Sequence, residues 1–96
     1  MIEVRQTEAF SAWLHDLRDP NAVARVVVRI RRMEQGNPGD ARSVGEGVIE
    51  MRIPYGPGYR VYYLHRRPRI VILICGGDKS TQRQDIKRAQ MLAETL

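Results

Sequence analysis

Only one cysteine, Cys75, occurs in the 96 residues, so no intramolecular disulfide can form and a disulfide-stapled fold is excluded. Cys75 lies inside the apolar run Ile70 to Cys75, where a thiol behaves as a small buried hydrophobe, and a reducing cytoplasm is the compartment it fits. No apolar stretch approaches the roughly 18 residues of a membrane span. Glu3 and Arg5 stand where a secretory signal would begin its apolar segment, so a cytoplasmic chain with no membrane partner is expected. Histidine is limited to His15 and His65, and Walker-loop, HExxH and CxxC patterns are missing. The remaining residues suggest neither a metal site, nor a Ser-His-Asp set, nor any cofactor. His15 beside Asp16 fits a solvated, pairing role, and His65 at a strand end is a weak candidate for carrying a proton. Lysine is scarce as well: among the 16 basic residues only Lys79 and Lys87 are lysine, and the rest are arginine.

What is present is positive charge. Eleven acidic residues against 16 basic ones leave a net charge of +5 and a pI near 10.0, which favours an anionic partner: nucleic acid, an acidic protein or a membrane surface. Guanidinium forks grip phosphate oxygens in pairs and stack on bases, although a GC-rich coding sequence accounts for arginine equally well. The length allows one domain, residues 1–96, with a small core. A chain this short buries roughly 60 to 65% of its unfolded surface, so a tightly bound partner would add to its stability.

Ile2 to Gln6 alternates apolar and polar residues, predicting a short strand, and Thr7 can cap a helix carrying Phe10, Trp13, Leu14 and Leu17 on one face. Asp19-Pro20 supplies an N-cap and a first-turn proline for a second helix, with Val23, Val26, Val27, Ile30 and Met33 as its apolar stripe and Gly36 as its stop. The two helices should form an antiparallel hairpin, with Arg25, Arg29 and Arg32 as a basic stripe. Asn37 to Gly47 reads as a loop holding at most a brief strand at Arg42 to Val44.

Further along, Ile49, Met51 and Ile53 alternate with Val48, Glu50 and Arg52, predicting a strand with a buried face and a face that displays charge. Across the turn at Pro54 to Gly58, Tyr59, Val61 and Tyr63 share one face and Arg60, Tyr62 and Leu64 the other. Arg69 to Cys75 reads as a central strand covered on both sides. Gly76-Gly77 ends it, and Thr81 with Gln84 offers a capping box for a last helix with Ile86, Ala89, Ala93 and Leu96 on one side. The order β-α-α-β-β-β-α, with room for one extra short strand, predicts an α+β fold. An antiparallel sheet would carry the hairpin on one face and leave the other available.

Between Met51 and Gly77 there is no acidic residue, while Arg52, Arg60, Arg66, Arg67 and Arg69 are interleaved with Tyr55, Tyr59, Tyr62 and Tyr63. Cations that hold phosphates and rings that stack on unpaired bases suit single-stranded RNA. Tyr62 and Tyr63 read more readily as packing residues, and Arg66 and Arg67 also read as solvated turn residues, whereas Arg52 and Arg60, cations on neighbouring strands, ask for a functional reason.

Three stretches occur in a fixed order: Gly47-Val48-Ile49-Glu50-Met51-Arg52-Ile53, then Gly56-Pro57-Gly58-Tyr59-Arg60-Val61-Tyr62-Tyr63, then Leu73-Ile74-Cys75-Gly76-Gly77-Asp78-Lys79-Ser80-Thr81-Gln82 followed by Asp85-Ile86. Together they resemble the RelE/ParE toxin superfamily, and more narrowly its HigB-type, phage-related addiction-module killer branch, across essentially the whole chain. The resemblance implies the toxin of a type II toxin-antitoxin system, a metal-independent endoribonuclease that cuts mRNA on the ribosome and so inhibits translation. It implies no cofactor. The partners it implies are a cognate helix-turn-helix antitoxin and, through that antitoxin, operator DNA. Arg52, Arg60 and Lys79 match the catalytic cations. Glu50 is a candidate base, with an ion pair to Arg52 as the plainer reading, and Asp85 stands where relatives carry a C-terminal tyrosine or histidine that this helix lacks. Tyr55, Tyr59, Arg66, Arg67 and Gln82 are the candidate RNA-binding residues. Two alternatives share the fold: a ParE-like, non-enzymatic inhibitor of DNA gyrase, and an inactive toxin that acts only in its antitoxin complex.

Overall fold

The structure, a computed structural model, describes Met1 to Leu96. Strand β1 (Glu3–Gln6) leads into α1 (Glu8–Asp16) and α2 (Pro20–Glu34). Strands β2 (Ala41–Ser43), β3 (Val48–Ile53), β4 (Tyr59–Arg66) and β5 (Ile70–Gly77) follow, then a 3₁₀ turn (Lys79–Thr81) and α3 (Gln82–Ala93). The fold is α+β, as expected. The local punctuation works largely as the sequence implies: the Thr7 hydroxyl accepts from the Phe10 amide at 3.1 Å, Asp19 caps the Asn21 amide at 2.9 Å ahead of Pro20, and Gly36 turns the chain out of α2 at φ +88. The capping box at Thr81 does not form. Instead the Asp78 carboxylate caps the Ser80 amide at 2.8 Å, and the Thr81 hydroxyl donates to Asp85 at 2.6 Å.

The five strands form one sheet in the order β1-β5-β4-β3-β2. β2 to β5 are an antiparallel meander, but β1 joins the outer edge of β5 in parallel, so the sheet is mixed. The reason lies at Thr7. Its amide donates to the Leu73 carbonyl at 3.0 Å and its hydroxyl to the Ile74 carbonyl at 2.5 Å, so α1 can begin only at the end of β5 towards which β1 must run. Strand alternation looks the same in either direction and carries no trace of this.

Against one face of the sheet pack Phe10, Val26 and Met33 of the hairpin, on Met51, Ile53, Val61, Tyr63, Val71 and Leu73. The other face is not left available. Val48, Tyr62, Leu64, Ile74 and Cys75 lie beneath α3, which brings down Ile86, Ala89 and Ala93. A bulge in β5 adjusts the register there: Tyr62 faces Cys75 but Tyr63 faces Leu73, so Ile74 is the extra residue. Burial pushes the Cys75 thiol up to about 11, which leaves it a protonated core residue.

Beyond the bulge, Gly76 and Gly77 meet opposite layers. A Cβ on Gly76 would sit 2.3 Å from Trp13 Cε3, and one on Gly77 would sit 1.9 Å from Asp85 Oδ2. The pair therefore does more than end the strand, since it lets α1 and α3 close on the sheet from both sides. Gly76→Ala should overpack the Trp13 contact and cost about 1 to 3 kcal/mol, which for a chain of this size lowers Tm by roughly 5 to 15 °C. A thermal melt followed by circular dichroism checks this, and a Tm within about 2 °C of the parent would contradict it.

Candidate cationic site

Residues directly opposite one another on neighbouring strands share a face. The register Arg42↔Glu50, Glu50↔Tyr62 and Tyr62↔Cys75 makes one row on the α3 side, and Arg52↔Arg60, Arg60↔Gly77 the next. Glu50 sits in the middle, and far from displaying its charge it is fully buried. Its Oε1 accepts from Arg42 Nε at 3.0 Å. Its Oε2 accepts from the Tyr62 hydroxyl at 3.1 Å and from Gln82 Nε2 at 2.9 Å, with Arg60 Nε at 3.8 Å. Burial pushes the Glu50 carboxyl up, but the hydrogen bonds from Gln82, Arg42 and Tyr62, with the Arg42 charge, outweigh it and hold the carboxyl below its usual range. Tyr62 is driven the other way, by burial first and then by Glu50, so it stays a hydroxyl donor.

The ion pair expected between Glu50 and Arg52 is replaced by this arrangement. Arg52 and Arg60 are opposite like charges, which a sheet tolerates only if they part. Arg52 turns outward to Asp40, with Nε 3.3 Å from Oδ2. Arg60 turns back over its own turn, donating from Nη1 to the Gly58 carbonyl at 2.6 Å. Only 8% of Arg60 remains exposed, and its Nε has no hydrogen-bond partner. Gly58, at φ +81, is the meeting point: a Cβ there would lie 3.1 Å from Arg60 Nη1 and 3.5 Å from Lys79 Cβ. The Lys79 amide bonds the Pro57 carbonyl at 3.4 Å, which ties the 3₁₀ turn to the β3-β4 turn. Lys79 is thus exposed beside a nearly buried Arg60, while Asp85 packs over Gly77, the residue paired with Arg60.

Arg60, Lys79, Glu50, Gln82 and Asp85 therefore come together, with Arg52 at the margin. The other expected RNA-binding residues do not join them. The Tyr55 hydroxyl donates to Asp19 at 2.8 Å and its ring carries the Arg25 guanidinium at 4.4 Å. That hydrogen bond raises the Tyr55 hydroxyl and holds Asp19 below the usual carboxylate range. Tyr59 meets Trp13 edge-on at 6.3 Å, on the hairpin side. Arg66 ends β4, six residues and roughly 20 Å along the strand from Arg60 at a strand's rise, and Arg67 begins the β4-β5 turn; Arg66 donates to the Leu96 carbonyl.

Sequence reasoning missed Arg42 as a partner of Glu50, and Arg29 as a staple. Arg29 donates from Nη1 to the Arg52 carbonyl at 2.6 Å and from Nη2 to Pro38 at 3.1 Å, fixing the loop that carries Asp40. A glutamate inside a strand between two arginine-bearing strands was the available signal for Arg42, although its register was not. No three His, Cys, Asp or Glu side chains converge as a metal-binding set, and no helix is long and apolar enough to cross a membrane.

Comparison with known proteins adds two findings. A family model described as phage derived protein Gp49-like (DUF891) matches residues 12–94. An uncharacterized protein of Haemophilus influenzae (strain ATCC 51907 / DSM 11121 / KW20 / Rd) is 47% identical over 95 residues, covering 99% of this chain and 96% of that relative.

Glu50 also sets a pH dependence. Because its carboxyl is depressed from 4.5 in the fold, the stability it contributes is complete above the unfolded value and is lost as pH falls through the lower folded one. Melts between neutral pH and pH about 3 should show the parent weakening across that acid window. The E50Q variant, less stable at neutral pH because Arg42 and Arg60 lose their counter-charge, should show a shallower acid dependence. Parallel curves would contradict the assignment.

Proposed function

The chain belongs to the Gp49-like family of phage-derived proteins, a family associated with addiction-module toxins, and from that premise we propose that it is the toxin of a two-gene module, of the HigB-type branch of the RelE/ParE superfamily. In this reading it arrests translation by cutting mRNA on the ribosome. A helix-turn-helix antitoxin restrains it and brings the complex to operator DNA. The observation that supports the reading is that the Arg60 guanidinium and the base of the Lys79 side chain both lie against Gly58.

Cutting RNA needs little covalent help from a protein. The ribose 2′-oxygen attacks the adjacent phosphorus, the 5′-oxygen leaves, and a 2′,3′-cyclic phosphate remains, so nucleophile and electrophile already belong to one nucleotide. The protein has to hold the strand in line and neutralise charge on the crowded phosphorane. Lys79, exposed, supplies the ammonium that meets the phosphate, and Arg60 adds fixed positive charge beneath it. Asp85 takes the 2′-hydroxyl proton through the oxygen not engaged by Thr81, and the departing 5′-oxygen is protonated by solvent. Glu50 serves as the anchor of Arg60 and not as the base, since its oxygens are occupied and its proton affinity is lowered.

The ParE-like reading, a toxin that binds gyrase without chemistry, has one observation in its favour: Arg52 and Arg60 each lie beside a carboxylate, Asp40 and Glu50. Expression without the antitoxin separates the two. Translation arrest with cuts in the ribosomal A site is expected, and Lys79→Ala, a change at an exposed position, should slow cutting by about 10²- to 10³-fold. Arg60→Ala, checked for folding by its melt, should abolish cutting. Full toxicity with intact mRNA would end the nuclease reading, and filamentation with DNA-damage signalling would move the protein to the gyrase class.

A further inference from the structure

Beside the Glu50 cluster runs a second feature that the proposed chemistry does not use. A groove of about 420 Å³ opens between α3 and the edge strand β2, lined by Arg42, Gln82, Arg83, Ile86, Lys87 and Gln90. Arg83 and Lys87 are successive turns of one helix face, and Arg42 reaches in from the opposite wall. No carboxylate lines the groove, and neither Arg83 nor Lys87 makes an ion pair. Arg42 spends only its Nε on Glu50 and keeps 54% of its side chain exposed. Three cations thus share one cleft with no counter-charge on its surface.

The cleft is also held open by its own residues. Gln82 is fixed at one end by Glu50 at 2.9 Å, and Gln90 at the other donates to the Val44 carbonyl at 2.8 Å, joining α3 to the segment after β2. Ile86, the one apolar residue of the lining, is half-buried against the second core layer. A preformed groove with cations on both walls fits a phosphate-bearing strand held through its backbone. Arg42 and Arg60 flank a single carboxylate from either side of β3, and Gln82, which lines the groove and binds that carboxylate, directly follows the turn that carries Lys79, so one end of the groove lies near Arg60 and Lys79.

We propose that the α3-β2 groove is a phosphate-binding track for single-stranded RNA, in which Arg42, Arg83 and Lys87 hold the strand that is presented to Arg60 and Lys79. The track deepens the nuclease reading in naming the same substrate, but the binding it describes can be measured without any cutting. Arg83→Ala with Lys87→Ala removes two exposed cations, and the melt should stay near the parent's.

Binding of a short fluorescent single-stranded RNA, followed across a salt series, should weaken on the order of tenfold at low salt, and its salt slope should fall by about 0.7 for each phosphate no longer neutralised. Arg31→Ala with Arg69→Ala deletes the same charge on other surfaces and should weaken binding clearly less. The pair Arg83→Lys with Lys87→Arg should bind as the parent does. Equal losses in the two alanine pairs, or unchanged RNA binding in the groove pair, would overturn the track. So would a loss confined to polyglutamate, which would make the groove a seat for an acidic protein segment. If the parent leaves ribosomal mRNA intact while the groove pair still binds RNA more weakly, the track stands and the nuclease reading falls; cutting that survives with unchanged RNA binding does the reverse.

Discussion

A carboxylate with no exposed surface sits at the centre of this sheet, and much of the candidate site follows from the need to satisfy it. Moving an ion from water into a protein interior costs several kcal/mol even after relaxation. Glu50 can be tolerated there only because donors arrive from three other elements: Arg42 from β2, Tyr62 from β4 and Gln82 from α3. Each donor is thereby fixed in turn. The edge strand is drawn in, the last helix is placed over the sheet, and Tyr62 is held as a hydroxyl, so the group that looks like a catalytic base is what assembles the cations around it.

The same constraint explains how two arginines survive opposite one another on β3 and β4. With Glu50 one row away, Arg60 has an internal counter-charge and folds inward over Gly58, while Arg52 has to find its own and takes Asp40. Asp40 is in reach because Arg29 binds the Arg52 carbonyl and the loop before β2 together. Part of the basic stripe on α2 is therefore a clamp on the sheet. Its neighbour Arg25 rests on Tyr55, which spends that ring on the fold.

What could be read from the residues was whatever repeats locally. The apolar stripes of all three helices, the division of β3 and β4 into two faces, the caps at Thr7 and Asp19 and the stop at Gly76-Gly77 depend on near neighbours in the chain, and the structure contains them except at Leu96, which lies past the end of α3 and is 39% exposed. What could not be read depends on register between distant segments. Nothing in Glu3 to Gln6 states a direction, so the parallel β1 was invisible. The bulge at Ile74 leaves the apolar run unbroken, and it decides which glycine faces Trp13 and which faces Asp85. Polarity alone put Glu50 on an outward face, because alternation cannot tell a solvent layer from a layer covered by a helix. Of the candidate site, Arg60, Lys79, Glu50, Gln82 and Asp85 meet as a group, while Tyr55, Tyr59, Arg66 and Arg67 go elsewhere because their neighbours in space are the hairpin or the opposite end of β4.

A net charge of +5 suggests a basic sheet, and that picture needs revision. Arg25, Arg29, Arg42, Arg52 and Arg60 all engage rings, carbonyls or carboxylates of the protein itself. Charge so engaged is partly neutralised before any ligand arrives, and it acts on a ligand mainly where a second edge of the guanidinium is left over, as at Arg42. The exposed cations without partners on this segment are Lys79 on the 3₁₀ turn and Arg83, Lys87 and Arg88 on α3. They belong to the segment that also covers the second face of the sheet. The same helix that closes the core therefore presents the free charge, and its position is set by Gln82 on Glu50, Asp85 on Gly77 and Ala89 in the apolar layer. Displacing α3 would expose the core and dismantle the cationic surface together, so the placement of one helix underlies both the second apolar layer and this cluster of charge.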